Sequence, residues 1–310
     1  MNLQIRLIPV VVAGLLLSLL LSACSEPSQE VFASPEAAIQ RMADLIGQHD
    51  ERQTEQVFGP GSVEMFRSGD DEADYEDFGR VKAMIHEAVV FEDVDADTRI
   101  ALLGDAKWPW PIPLVRDDQG WRFDTEKGQQ ELLNRRVGRN ELWTLTALYE
   151  LVEAQREYRS EPRDGNPPAY AQRFRSTEGK HDGLYWSTED GSELSPAGRF
   201  LAESDAREDR PQPFYGYYYR ILTRQGEQAP GGDMDYLDKN GHLTRGFAAI
   251  AWPAKYGNSG VMTFVVSNRG LVFQKDLGLK TDELIEKIDS YNPDASWDPT
   301  EDSMHRVVTE

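Results

Sequence analysis

Apolar residues follow several different patterns along this chain, and each predicts its own kind of element. An unbroken apolar run from Leu7 to Leu21 comes first, preceded by Arg6 and closed by Leu21-Ser22-Ala23-Cys24. Helical spacing follows. Ser34-Pro35-Glu36 offers an N-cap, a proline at the first helical position and an acid in the first turn, and Ala38, Met42, Leu45 and Ile46 recur at helical intervals. A loop with Gly59-Pro60-Gly61 and the acids Asp70, Asp71, Glu72 and Asp74 leads to a second amphipathic helix bearing Phe78, Val81, Ile85 and Ala88. From Glu126 to Arg159 the pattern is helical again. Gly138 and Asn140 in its middle predict two helices meeting at a corner, the second burying Leu142, Leu145, Tyr149 and Val152.

Short β-rich runs alternate with these helices. Arg99 to Gly104, Leu114 to Arg116 and Trp121 to Phe123, turning at Asp117-Asp118-Gln119-Gly120, predict a small sheet. Trp108-Pro109-Trp110-Pro111-Ile112-Pro113 is excluded from a central strand, because proline donates nothing to the ladder. Ser160 to Pro213 is rich in Gly, Pro, Ser and charge, and reads as a long ordered connection or a domain boundary. Beyond it, Tyr217 to Thr223, Leu243 to Trp252, Val261 to Ser267 and Leu271 to Lys275 are strands, with turn chemistry at Asp238-Lys239-Asn240-Gly241 and Ser267-Asn268-Arg269-Gly270. Short connections make them antiparallel. A helix from Thr281 to Ile288 and a polar tail from Asp298 complete the pattern. The predicted class is α+β: a helical N-terminal part with a small antiparallel sheet, over 34–159, an irregular connection over 160–213, and a C-terminal antiparallel β-meander with a short helix over 214–297, then the tail 298–310.

The N-terminus changes this picture by adding an address. A basic residue, an apolar stretch and a small residue before cysteine predict a lipoprotein signal peptide over 1–23, with lipidation at Cys24 and a tether over 24–33. Leu7 to Ala23 is short for a membrane span and is interrupted by Pro9 and Gly14. The expected location is the cell envelope, lipid-anchored. Ser25 after the cysteine points to the outer membrane, facing the periplasm, if the host is Gram-negative. Cys24 is also the only cysteine, so the mature chain is expected to hold no disulfide, thiol nucleophile or cysteine metal site. Formal net charge is −21, and loss of Arg6 with the signal makes it more negative. Such a surface repels nucleic acid, whose affinity comes from lysine and arginine.

Candidate chemistry is sparse. HExxH, P-loop, SxxK and GxGxxG patterns are absent. Gly257-Asn258-Ser259-Gly260 comes nearest to a nucleophile elbow, but it joins two strands and reads as a tight turn. His49, His86, His181, His242 and His305 are not spaced as metal ligands. Asp93-Val94-Asp95-Ala96-Asp97 begins like a calcium loop but lacks the glycine and the terminal glutamate that an EF-hand needs. It reads as a solvated face, as do the acids from Asp70 and Asp233-Met234-Asp235. No metal or cofactor is expected. Trp108, Trp110 and Trp121, or Tyr215, Tyr217 and Tyr219, are expected to fill a core, with stacking on glycan rings as the alternative. Arg135, Arg136 and Arg139 form a cationic cluster in an acidic chain. They are expected to pair with Asp124, Glu131 or Glu141, so that Arg139→Ala lowers the melting temperature markedly; an anion site at the helix corner is the alternative.

Several stretches in order resemble a bacterial family of secreted proteins known as domain of unknown function 2950. They include Trp108 to Val115, Gly120-Trp121-Arg122-Phe123-Asp124, Arg139-Asn140-Glu141-Leu142, Ala154-Gln155-Arg156-Glu157-Tyr158, Gly216 to Thr223, Ala229-Pro230-Gly231-Gly232 and Gly246 to Gly278. The resemblance spans nearly all of the mature chain and implies no activity, ligand or catalytic residue. The expected function is therefore a non-enzymatic binding or scaffold module, with another envelope protein or a wall glycan as partner. The rivals are an envelope hydrolase using carboxylates in an interdomain cleft and a weakly calcium-dependent structural protein.

Overall fold

The computed structural model describes residues 29–48, 50–67, 71–187, 194–207, 211–301 and 303, with only the backbone of 71–75 and 200. The apolar N-terminal run, Cys24, His49, Asp70 and His305 lie outside the described residues. The architecture is α+β, and the chain divides into two compact units, Met1–Gln129 and Gln130–Glu310.

In the N-terminal unit, α1 (Pro35–Leu45) starts where the Ser34 hydroxyl accepts a hydrogen bond from the Ala37 amide, and it buries Ala38, Ile39, Met42 and Leu45. Two short helices, α2 (Glu51–Phe58) and α3 (Ser62–Phe66), occupy the stretch expected as a loop. α2 buries only Val57 and Phe58, too few positions to show a period. Its start is set by Asp50, whose carboxyl is held low by hydrogen bonds from the Gln53 side chain and amide. The second amphipathic helix is α4 (Asp71–Glu87). Five antiparallel strands follow: β1 (Val89–Asp93), β2 (Thr98–Leu103), β3 (Trp108–Pro109), β4 (Leu114–Asp117) and β5 (Gly120–Phe123). Their order is β1-β2-β4-β5, and β3 pairs with β2 over only two residues, which is all its prolines allow. Phe58, Phe123 and Trp110 pack with α1 in the core. The last tether residues are part of this unit. Phe32 exchanges backbone hydrogen bonds with Trp121, and Gln29 donates to the carbonyls of Val57 and Phe123. Gly120 permits this approach, since a Cβ there would stand 2.6 Å from the Phe32 carbonyl oxygen.

α5 (Thr125–Arg159) is one continuous helix instead of the expected corner, and the C-terminal unit is built on it from Gln130 onward. Gly138 has nothing near the position its Cβ would take, so it costs the helix only its propensity, about 1 kcal/mol. Asn140 is no cap, because its amide donates to the Ser259 carbonyl at 2.9 Å. The described residues of 160–213 include α6 (Arg199–Glu203) and send Phe174, Leu184 and Leu201 into the core. Strands β6 (Tyr217–Leu222), β9 (Ala248–Pro253), β10 (Met262–Ser267), β11 (Val272–Asp276) and β12 (Asp298–Pro299) form a sheet ordered β12-β11-β10-β9-β6. β7 (Arg224–Gln225) and β8 (Met234–Asp235) make a separate ribbon, and α7 (Thr281–Ile285) follows a 3-10 turn at Gly278–Lys280. Residues expected to open a polar tail instead extend the sheet: Asp298 and Pro299 pair with Gln274 and Phe273, and the buried Ser303 hydroxyl accepts the Val272 amide. Backbone pairing of this kind leaves no trace in hydropathy. Among the described residues, no helix is long and apolar enough to cross a membrane.

Candidate functional site

The helical period sorts the turn of α5 from Arg139 to Thr144 into two roles. Taking the fully buried Leu148 as the centre of the inward face, at about 100° per residue Thr144 and Glu141 fall within about 40° of it, while Arg139 and Trp143 lie about 140–180° away. The inward residues pin the sheet. One Glu141 carboxylate oxygen accepts the backbone N–H groups of both Val261 and Met262 at 2.9 Å, where β10 begins. Thr144 meets the Tyr219 hydroxyl at 3.4 Å, and the Tyr217 hydroxyl donates to the Met262 carbonyl at 2.9 Å. Burial, and after it the Glu141 carboxylate, push the Tyr217 phenol far above its ordinary range.

Outward residues of the same turn make an aromatic shelf with Tyr215, from the loop before β6. Trp143 is 44% exposed and Tyr215 37%, with ring centroids 4.8 Å apart and planes at 45°. The Arg139 guanidinium lies 5.3 Å from the Trp143 ring centroid, and Leu142, expected on the buried face, is 67% exposed beside it. Tyr215 adopts a left-handed backbone (φ 53°), unusual for a bulky residue. Gly216 follows at φ 76°, where a Cβ would collide with the Asn140 amide at 2.7 Å. The loop that presents Tyr215 thus passes close against Asn140 of α5.

The fold brings the arginine cluster together only in part. Arg135 pairs with Glu131 at 2.7 Å, on partly exposed side chains. Glu141 holds backbone amides instead of a guanidinium. Among the described residues neither Arg136 nor Arg139 enters an ion pair, which removes the buried partner that would have made Arg139→Ala strongly destabilising. Of the aromatic sets, Trp110, Trp121, Tyr217 and Tyr219 are buried, Trp108 is half-buried, and Tyr215 alone is exposed. Trp143 was not singled out by sequence. The signal was its position off the 144–148–151–155 stripe, visible only once α5 is one unbroken helix.

The remaining candidates have structural duties. Gly257 to Gly260 is a tight turn between β9 and β10: the Ser259 hydroxyl accepts the Lys255 amide, and Gly260 leaves room for the Tyr217 ring. Asp93 pairs with Arg99, Asp97 with Arg116, and Asp95 accepts the Asp97 amide, which closes the β1–β2 hairpin. Asp233 pairs with Arg224. Among the described residues, no group of three or more His, Cys, Asp or Glu could hold a metal ion. A cavity of about 210 Å³ is lined by Tyr158, Arg163, Asp164, Tyr170, Asp182 and His242, among others. Burial raises the Asp182 carboxyl, but hydrogen bonds from Thr177, with Arg173 and Lys180 nearby, outweigh it and hold the group below the usual carboxylate range. His181 stacks on Trp186 at 4.3 Å, and His86 ends α4.

No curated protein and no solved structure matches the chain. A family model described as protein of unknown function (DUF2950) matches residues 29–300, and the chain belongs to that family.

Proposed function

We propose that this protein is a non-enzymatic binding module of the bacterial cell envelope, held to the membrane by a lipid on Cys24 and engaging its partner through Arg139, Leu142, Trp143 and Tyr215. The observation that carries this reading is the exposed Trp143–Tyr215 pair, one ring on the pinned turn of α5 and the other on the loop before β6. Large aromatic rings left in water, with an arginine among them, are what binding surfaces concentrate. The acids favour binding over hydrolysis too. Asp182, in the described cavity, is held ionised and so is poorly suited to donate a proton, and Asp93, Asp95 and Asp97 are engaged in a hairpin. The anchor reading rests on Leu21-Ser22-Ala23-Cys24.

The test is made in cells. A photo-crosslinking residue at Leu142 should give a discrete adduct in the wild-type background and lose it with Trp143→Ala, while a clickable palmitate analogue should label the wild type and not Cys24→Ala. Crosslinking unchanged by Trp143→Ala would reject the shelf as the binding surface, and equal labelling of both chains would reject the anchor.

A further inference from the structure

The arginine cluster and the glycan-stacking aromatics are separate features of the sequence, and α5 brings one member of each to the same place. We infer that the Arg139–Trp143–Tyr215 shelf is a binding site for an acidic saccharide: sugar rings lie on the aromatic faces and a ring carboxylate meets Arg139, with Arg136 one turn away. This rests on the binding-module reading and names its ligand class.

Four features support it. Trp143 and Tyr215, 44% and 37% exposed with ring centroids 4.8 Å apart, leave two large rings side by side in water, apolar surface on which a pyranose can stack. Neither Arg136 nor Arg139 has an ion-pair partner among the described residues, although the chain carries 54 Asp and Glu against 33 Lys and Arg; two cations left unpaired in so acidic a protein are available to an anionic ligand. The site is preorganised. Asn140, Glu141 and Thr144 tie this turn to Ser259, Val261, Met262 and Tyr219, and the strained Tyr215 backbone holds its ring outward, so little ordering is left for binding to do. Finally, Arg139, Trp143 and Tyr215 line neither the 210 Å³ cavity nor the smaller recess near Trp297. An extended chain can cross a shelf, whereas a protein side chain anchoring an interface usually seeks a pocket. Other occupants fit less well. Two copies meeting face to face, for one, would oppose Arg139 to Arg139.

The probe is a soluble oligogalacturonate, compared with the same oligosaccharide after reduction of its carboxylates, titrated calorimetrically into the full-length chain in detergent. Saturable binding of the acidic form is expected, weakened about tenfold or more by Trp143→Ala. Arg139→Ala should weaken the acidic form and leave the reduced form unchanged, so that it erases the difference between them. Unaltered melting of both variants certifies their folding, and Trp143→Phe, which keeps an aromatic face, should restore much of the affinity. Equal affinity of wild type and Trp143→Ala, or competition by inorganic phosphate as effective as by the saccharide, would overturn the inference. So would Trp143-dependent binding to phosphatidylglycerol vesicles without saccharide binding, which would identify a membrane-surface site. If saccharides do not bind but the Leu142 crosslink still depends on Trp143, only the ligand class falls; loss of both removes the binding-module reading as well.

Discussion

Each unit carries a five-stranded antiparallel sheet, yet the two sheets bury their strands differently. In the N-terminal unit β1 alternates between half-buried and exposed positions, and Val90 is 46% exposed. In the C-terminal unit all six residues of β9 are buried, as are five of the six in β10. A sheet wetted on one face alternates, and a sheet covered on both reads as a continuous apolar run. The cover comes from α5, whose Thr144 meets Tyr219 on one face of β6. On the opposite face, the Arg220 guanidinium donates to the carbonyls of Ile285 and Ile288 around the end of α7. Double cover also traps phenols. Burial pushes Tyr217, Tyr219 and Tyr236 far up, and Tyr158 and Tyr291 up to about 12, whereas Tyr75 is the only tyrosine in residues 29–129.

Alkali should separate the units most strongly. A phenol whose folded pKa lies above the unfolded value of about 10 contributes stability that is fully present below pH 10 and lost as pH rises through the folded value. Hydrogen exchange between pH 10 and 12 should therefore accelerate across 217–276 while 89–123 keeps its protection; simultaneous loss in both would break the comparison. Next in size is Ile250→Ala in β9. At a site with no exposure the cavity should cost about 2–5 kcal/mol, against within about 0.5 kcal/mol for Val90→Ala. Chemical denaturation of the two variants side by side measures the contrast, and similar losses would mean that β9 is less enclosed than its burial indicates.

Glu141→Ala is smaller again. It strips a shared charged acceptor from two backbone amides, for a loss of about 1.5–3 kcal/mol, and should speed exchange at Val261 and Met262 specifically. Unchanged exchange there would show that water replaces the carboxylate freely. Smallest is Arg139→Ala, at most about 1 kcal/mol, because the guanidinium is exposed over Trp143 with no ion pair among the described residues. A large drop in melting temperature would return Arg139 to the structural role first expected of it.

The reading of the chain was most secure where local rules suffice. Ser34 and Pro35 start α1, and Gly120 and Gly270 close hairpins, because caps and turns are set by a few adjacent residues. It failed where a partner far along the chain decided the outcome. Gly138 and Asn140 carry the local signature of a corner, but the Ser259 carbonyl, 119 residues away, takes the Asn140 amide and α5 runs on. The two turns of helix after Asp50 were missed because Phe58 meets Phe66 and Phe123, contacts that no short-range period records.

The candidate site divides in the same way. Sequence alone determined the α+β class, most strand positions, the acidic balance, the clustering of arginines in it and the aromatic richness around Tyr215, since these follow from composition and from the intervals of 2 and 3.6 residues. Only the tertiary structure decided that Tyr217 and Tyr219 are core while Tyr215 faces water, that Leu142 points out, and that Trp143 stands between Arg139 and Tyr215. The physical reason is that a period tells which residues share a face. What covers that face depends on distant segments packing against it.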